Sequence, residues 1–219
     1  MAKALIDGDW DIEGGANYLF PYSVIREATL RLLPRKGFKY LGVDIARYGD
    51  DESVAIVRHG NTVSDVYNWM GTDTMESALR VFDIIREHNP AVVNIDVIGP
   101  GSGVVDKLRE LGVKCNGVNA SGKARNPDYH NARAEMFWRL RDLFEQGFIS
   151  IPDHSKLTSQ LAGIKYTFAA NGTKAIVSKE EMRKSGSKSP DYADALALAF
   201  YSTTPAFNRI VSKSFTRYR

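Results

Sequence analysis

Three short segments rich in apolar and β-branched residues follow one another, separated by polar turns. They cover residues 40–46, 53–59 and 62–70. The dipeptide Gly60-Asn61 supplies the second of the two turns. Because successive strands joined by tight turns pair with their neighbours, this pattern predicts an antiparallel meander of three strands.

Helical and strand patterns alternate after the meander. Apolar residues recur at helical spacing over 74–88, and an apolar run of strand length follows at 91–97. Asn171-Gly172 lies in the turn of a predicted hairpin over 164–178. The other predicted elements are a short strand over 113–118 and helices over 22–33, 102–111, 131–146, 157–163 and 189–202, the last with Ser189 as N-cap and Pro190 in its first position.

The order of these elements predicts the fold class. A meander that continues into βα units gives an α/β fold with a mixed central sheet, antiparallel strands first and parallel strands after, and helices on both faces. Residues 1–37 have little regular pattern and are interpreted as a linker. Residues 38–204 are interpreted as the main domain and 205–219 as a basic C-terminal tail.

Composition narrows the class of protein. With 219 residues, 43% of them hydrophobic and 25% charged, the chain fits one globular domain. No apolar run approaches the roughly 20 residues that a membrane-spanning helix needs, and the N-terminus does not resemble a signal peptide. Cys115 is the single cysteine, which excludes an internal disulfide framework and a zinc site built from cysteines. A reducing cytoplasm is therefore the expected location.

Three aspartates stand where the pattern predicts core residues. Asp44 lies on the first strand, Asp96 ends the strand at 91–97, and Asp194 lies among alanines and leucines of the last helix. Each alone has a structural explanation, such as a turn hydrogen bond or a helix cap. If the first and fourth strands are neighbours, however, Asp44 and Asp96 lie side by side and the last helix brings Asp194 across them.

Such a cluster of carboxylates needs a positive partner, because like charges that close repel one another strongly. Ligands that are all oxygen indicate a hard divalent ion, Mg²⁺ or Mn²⁺, and two such ions about 4 Å apart suit in-line displacement at a phosphodiester. Asp191, one helical turn before Asp194, and Asp50, in the first turn, are candidate accessory ligands. Ordinary helix-start and turn roles explain these two residues equally well.

Basic residues are concentrated in the C-terminal third and in a polar loop over 121–133, although the net charge of +3 is mild. The glycine-rich segment 99–103 precedes a helix and has amides that suit a phosphate, but no G-K-[ST] follows it, so no ATP site is predicted. Solvated faces explain the basic stretches equally well, and the alternative for the glycines is that they allow a tight entry to the helix. The candidate DNA contacts are Gly101, Ser102, Lys123, Arg125, Lys174, Lys179, Arg183, Lys184 and Lys188.

Four segments, taken in order, resemble the nuclease domain of the large terminase subunit of tailed bacteriophages. They are "GVDIARYGDDESVAIVRHG" (42–60), "VVNIDVIGPGSGVVDKLRELG" (92–112), "NARAEMFWRLRDLFEQG" (131–147) and "SPDYADALALAF" (189–200). Each segment alone is a weak signal, and the ordered set carries the resemblance, which covers roughly residues 38–204. It implies a ribonuclease H-like fold.

The resemblance also implies an activity. Terminase nucleases cut concatemeric double-stranded viral DNA during genome packaging, with two divalent metal ions held by three acidic positions. By motif, Asp44 and Asp96 match the strand ligands and Asp194 the ligand on the last helix, whereas Asp191 and Asp50 match accessory positions. The hairpin over 164–178 matches a hairpin that the family carries near its active site.

The partners implied by the resemblance are DNA, the terminase ATPase domain, the portal protein and the small terminase subunit, in the host bacterial cytoplasm and away from membranes. The start of the chain, "ALIDGDWD" (4–11), resembles the segment that ends the family's ATPase domain. The Walker motifs of that ATPase are absent from this sequence, so we expect either an excised nuclease domain, which the resemblance favours, or a split gene product, monomeric when isolated. Two alternatives remain open. One is a junction-resolvase-type nuclease of the same fold, and the other is a DNA- or portal-docking module that is inert without the ATPase.

Overall fold

A computed structural model describes residues 17–46 and 51–202 of the chain. The strands are β1 (Lys39–Asp44), β2 (Ser53–His59), β3 (Thr62–Trp69), β4 (Val92–Asp96), β5 (Asn116–Val118), β6 (Tyr166–Phe168) and β7 (Lys174–Ile176). The helices are α1 (Tyr22–Leu30), α2 (Thr74–His88), α3 (Gly101–Glu110), α4 (Ala132–Glu145), α5 (Ser155–Ala162), α6 (Lys179–Lys184) and α7 (Asp191–Phe200). None of these helices is long and apolar enough to cross a bilayer.

The central sheet is mixed, as predicted. Its order is β3-β2-β1-β4-β5, and β6 and β7 form a separate hairpin. Strand β1 pairs antiparallel with β2 and parallel with β4, so the first and fourth strands are neighbours. This topology confirms the predicted α/β class and puts the carboxyl ends of β1 and β4 at the same edge of the sheet.

Side chains of β1 alternate between two apolar cores, one on each face of the sheet. Leu41 and Val43 pack in the core that α2 and α3 cover. The opposite core is formed with α1, α4, α5 and α7 and contains fully buried side chains such as Phe137 and Leu196. Helices therefore cover both faces of the sheet. Gly42 and Asp44, which alternate with Leu41 and Val43 along β1, face α7.

Helix α7 lies directly against the backbone of β1 at Gly42. A Cβ atom added there would lie 2.2 Å from the backbone nitrogen of Ala199. On the next strand, the Asn94 side-chain amide donates to the carbonyl oxygens of Leu198 and Tyr201, at 2.9 and 2.8 Å. These bonds tie the C-terminal end of α7 to β4, so they fix the helix both in its distance from the sheet and along its axis.

The described part of the predicted N-terminal linker is packed structure. Leu19, Phe20, Ile25 and Ala28 are fully buried in the α7-side core, and the backbone N–H of Leu19 donates to the carbonyl of Ile164 at 2.8 Å. From residue 17 onward the segment therefore belongs to the same folded body as the sheet. Its origin at the end of an ATPase domain stays a prediction.

Two local predictions are corrected by the structure. The residues after the hairpin form α6, which the sequence analysis missed, although Ser178 and Glu181 make a reciprocal capping box at its start. Ser189 is not the cap of the last helix. Pro190 occupies that position without a side-chain cap, and the Ser189 hydroxyl donates to the Asp191 carboxylate instead.

We expect Gly42→Ala to destabilise the fold, because the new methyl group would overlap the backbone of α7, and overpacking of this kind costs about 1–3 kcal/mol. Urea-induced unfolding followed by circular dichroism measures the loss. Gly163→Ala is the matched control, since a Cβ there meets its nearest atoms at 3.5 Å. Equal stability of Gly42→Ala and the unaltered chain would contradict the close contact between α7 and β1.

Candidate metal centre

Two of the predicted carboxylates come together at the ends of neighbouring strands. Val43 pairs with Ile95 in the parallel β1–β4 ladder, so the residues that follow them, Asp44 and Asp96, lie side by side. Both side chains are buried. One oxygen of Asp96 accepts a hydrogen bond from the backbone N–H of Ile98 at 3.1 Å, which fixes this carboxylate at the start of the loop to α3.

Helix α7 carries Asp194 to the same place. Its first turn is held by Gln160 of α5, whose side-chain oxygen accepts the backbone N–H groups of Tyr192 and Ala193 at 2.7 and 3.3 Å. The amide nitrogen of Gln160 donates to the carbonyl of Ser189 at 3.3 Å. One side chain thus caps the helix from outside, and the orientation of Asp194 depends on a residue that sequence reasoning did not single out.

Lys179, the first residue of α6, lies in the centre of the cluster. Its ammonium nitrogen is 2.9 Å from Oδ2 of Asp44 and 3.0 Å from Oδ2 of Asp194. From the sequence, Lys179 is a candidate DNA contact, and a metal ion is the expected positive partner of the carboxylates. In the structure, the immediate positive partner is this lysine.

The pKa values of Asp44 and Asp194 are shifted in opposite directions. Burial raises the pKa of Asp44, with Lys179 opposing the shift and the Asp194 charge adding to it. Burial also acts to raise the pKa of Asp194, but the Arg133 guanidinium and Lys179 together outweigh it and lower the pKa. Asp194 is therefore ionised at neutral pH, and Lys179 is held protonated because both carboxylates raise its pKa against the effect of burial.

Asp96 and Asp191 have pKa values raised toward neutrality. Burial, followed by the nearby charge of Asp44, raises the pKa of Asp96 to about 6. Burial is the leading cause for Asp191 too, and its pKa is also about 6. The Asp191 carboxylate accepts the Ser189 hydroxyl on one oxygen and the backbone N–H of Glu52 on the other, at 3.1 Å, so it ties the start of α7 to the start of β2.

The donor set fits a hard divalent cation, but the carboxylates as they stand are spread around an ammonium group. Among residues 17–46 and 51–202, no three acidic, histidine or cysteine side chains converge closely enough to hold a metal ion. Oδ2 of Asp194 is buried, and in that part of the chain it has the Lys179 ammonium beside it at 3.0 Å and no hydrogen bond of standard geometry. Carboxylate oxygens are the ligands that hard divalent ions prefer, so the residues fit a metal that would take the place of the ammonium.

The carboxylates line a cleft of about 850 Å³. Gly99 and Pro100 line one side of it. The next residue, Gly101, is buried, and a Cβ there would lie 1.8 Å from the carbonyl oxygen of Asp96, so only glycine lets α3 start against the end of β4. Arg183 also lines the cleft and pairs with Asp51 at 2.7 Å. Asp50 lies outside the described residues.

The other candidate DNA contacts are scattered. Lys174 lies over the rings of Trp138 and Tyr129, with its nitrogen 4.8 and 5.7 Å from their centroids. The guanidinium of Arg125 donates to the carbonyl of Ser202 at 2.8 Å. The remaining four are at the surface: the Ser102 hydroxyl donates to Gly99, Lys184 pairs with Glu180, and Lys123 and Lys188 are exposed.

The part of the polar loop that precedes α4, residues 121–131, is bonded to its surroundings. The fully buried carboxylate of Glu135 accepts the backbone N–H of Arg125 at 2.8 Å. Backbone bonds join His130 and Asp128 to Lys174 of the hairpin. The loop and the hairpin therefore form one connected wall beside the cleft.

Comparison with known proteins gives matches of structure alone, since no protein-family model and no curated protein matches the chain. The nuclease domain of the large terminase subunit gp2 of bacterial virus Sf6 superposes with a TM-score of 0.74 at 21% identity, over 85% of this chain and 100% of that one. The large terminase nuclease of thermophilic phage G20c with bound magnesium gives 0.63 at 18%, over 84% and 96%.

The chain has the fold of a phage large terminase nuclease domain. The Thermus phage P74-26 large terminase nuclease domain is a third example, with a TM-score of 0.61 at 16% identity, over 84% of this chain and 94% of that one. The resemblance and the ribonuclease H-like fold expected from the sequence are thus confirmed. Other structures of the terminase nuclease domains contain manganese, calcium or cobalt.

We expect Asp96→Asn to stabilise the metal-free protein above pH 6. The pKa of Asp96 in the folded state, about 6, exceeds the ordinary value of 3.8, so stability is lost as pH rises from about 4 to about 6. The amide removes this loss, which is at most about 3 kcal/mol. Thermal unfolding at pH 4 and pH 7.5 in EDTA measures it.

Asp106→Asn is the control for this prediction, because Asp106 is exposed on α3. If Asp96→Asn is more stable than the unaltered chain at pH 7.5 and equally stable at pH 4, the raised pKa of Asp96 is supported. The same stability difference at both pH values would contradict it.

Proposed function

We propose that the chain is a divalent-metal-dependent endodeoxyribonuclease that cuts concatemeric double-stranded viral DNA during genome packaging, by two-metal-ion hydrolysis of phosphodiester bonds. The observation that carries this proposal is that one ammonium, that of Lys179, bridges Asp44 of β1 and Asp194 of α7, with Asp96 of β4 beside Asp44. It is supported by a fold shared with terminase nucleases of which some were solved with magnesium or manganese.

Asp44, Asp96 and Asp194 are the residues that would hold Mg²⁺ or Mn²⁺, with Asp191 and Asp50 as accessory groups. Divalent ions, when bound, supply Lewis-acid stabilisation of the charge that develops as the phosphodiester is hydrolysed. Both oxygens of Asp191 already accept hydrogen bonds, one from the Ser189 hydroxyl and one from the backbone N–H of Glu52. Its first role is therefore to hold the helix that carries Asp194.

Lys179 keeps the cluster together before metal binds. Without its ammonium, Asp44 and Asp194 would face one another in a buried site and repel. For these carboxylates to hold a divalent ion, the Lys179 ammonium would have to move away from them. The lysine would then be free to meet an anionic phosphate at the same cleft, so DNA would favour the exchange of one cation for the other.

The cleft and its surroundings suit a DNA backbone. Arg183 lines the cleft, and Lys123, Lys184 and Lys188 are exposed. Because contacts to phosphates carry no sequence information and release counterions, DNA binding by this surface is weakly sequence-dependent and falls with salt. In the proposed setting the ATPase domain, the portal protein and the small terminase subunit deliver the DNA in the host cytoplasm.

A second candidate function is favoured by the same lysine. Because Lys179 occupies the centre of the carboxylate cluster, the isolated chain can be a docking module for DNA or portal that stays inert until the ATPase domain is present. Its discriminating property is the absence of metal-dependent stabilisation and of cleavage in the isolated chain.

Plasmid cleavage by the isolated chain tests the proposal. With Mg²⁺ or Mn²⁺ we expect nicked or linear plasmid, lost in EDTA and in Asp96→Asn, because that carboxylate is a metal ligand. Asp106→Asn is the matched control and should cleave as the unaltered chain does. Activity of Asp96→Asn equal to that of the control would refute the site assignment.

Inactivity of the unaltered chain with every metal, from protein shown to be folded, would favour the docking module. Linear and four-way-branched duplexes, compared in the same assay, separate the terminase-type activity from that of a junction resolvase. A strong preference for the branched substrate would contradict the packaging role.

A further inference from the structure

Arg133 links the candidate metal ligand on α7 to the base of the hairpin. Its Nε donates to Oδ1 of Asp194 at 2.9 Å, and its Nη1 donates to the carbonyl of Val177 at 3.1 Å. The side chain is 11% exposed, and its guanidinium carbon lies 5.0 Å from the ring centroid of Phe137. The guanidinium, which lines the cleft, is thus held by α7, by the segment after β7 and by its own helix α4.

The backbone that carries Arg133 is itself firmly placed. Asn131 caps α4 by accepting the backbone N–H of Ala134 at 2.9 Å, and the N–H of Arg133 donates to the carbonyl of Ala120 at 2.8 Å. A guanidinium projecting from the first turn of a capped helix has a defined direction, so it can set the direction of the group that it binds.

Through its two acceptors, Arg133 affects both the Asp194 carboxylate and the segment that carries Lys179. By holding Oδ1 of Asp194, the guanidinium leaves Oδ2 as the oxygen that faces Lys179 and the cleft. Val177 is two residues before Lys179, so the same guanidinium also places the segment that carries the lysine. The third nitrogen, Nη2, is buried and has no acceptor within the described part of the chain, so these two bonds determine how the group is held.

We propose that Arg133 is a positioning residue of the metal centre, which aims one oxygen of Asp194 at the metal and ties the base of the hairpin to that carboxylate. This inference rests on the proposed function. It assigns the residue a geometric role: the planar fork of arginine reaches two acceptors at once, which the single ammonium of lysine at this position does not reproduce.

A purely electrostatic role of Arg133 predicts a different effect of its substitution on metal affinity. If Arg133 served only as a nearby positive charge, it would oppose cation binding, and any change that kept the charge would leave metal affinity unaltered. If Arg133 positions Asp194, the charge-conserving Arg133→Lys lowers metal affinity, because Asp194 is no longer held. Removing a group that hydrogen-bonds and orients a metal ligand alters metal affinity by about 10- to 100-fold.

The experiment measures Mn²⁺ affinity by isothermal titration calorimetry, and the rise in thermal unfolding temperature on adding Mn²⁺, for the full chain and for Arg133→Lys. Arg141→Lys is the matched control, because Arg141 is on the same helix and stacks on Trp138 away from the cleft. We expect Arg133→Lys to bind Mn²⁺ about 10- to 100-fold more weakly, with the control unchanged.

If Arg133→Lys does not fold, Arg133→Gln takes its place, measured together with Lys179→Ala so that the lysine does not compete for Asp194. A fall in affinity relative to Lys179→Ala alone supports positioning, and equal or higher affinity overturns it. Equal Mn²⁺ affinity of Arg133→Lys and the unaltered chain overturns this inference alone. Absence of Mn²⁺ binding by the unaltered chain contradicts the proposed function and this inference with it.

Discussion

The ion pairs of Lys179 with Asp44 and Asp194 are the interaction on which the rest of the site depends. Both carboxylates are buried, and a buried charge without a partner costs several kcal/mol in stability. The ammonium, 2.9 and 3.0 Å from the two oxygens, lets strand β1 and helix α7 bring these charges together at all. In the proposed function the same carboxylates would hold a divalent ion, and the ammonium would have to leave them for that to happen.

The surrounding fold serves to hold α7 against the sheet. Gly42 removes the side chain that would separate helix from strand, Gln160 caps the first turn, and Asn94 takes up carbonyls at the other end. A rigid helix on a rigid sheet fixes the distance between Asp194 and the strand carboxylates more firmly than a loop would. Lys179 is carried instead by the short segment from the hairpin to α6, and Arg133 ties the start of that segment to Asp194.

Much of the framework could be predicted from the sequence, and the centre of the site could not. The spacing of apolar residues gave the bounds of α2 and β2, and polar residues inside apolar runs identified Asp44, Asp96 and Asp194, because burial of a charge is a local anomaly. Lys179 and Arg133 carry no such signal, since each is one basic residue among many in a polar stretch. Their positions follow from the hairpin and the loop over 121–131 folding back on α7. The capping box at Ser178 could have predicted α6, but not where its lysine points.

The central claim is that a divalent ion replaces the Lys179 ammonium between the carboxylates. A crystal structure of the protein grown with Mn²⁺, with anomalous diffraction recorded at the manganese edge, tests it most directly. The account predicts an anomalous peak bound by oxygens of Asp44, Asp96 and Asp194, with the Lys179 nitrogen moved out of contact with them. Lys179 still bridging Asp44 and Asp194 in saturating Mn²⁺, with no peak among the three carboxylates, would contradict it.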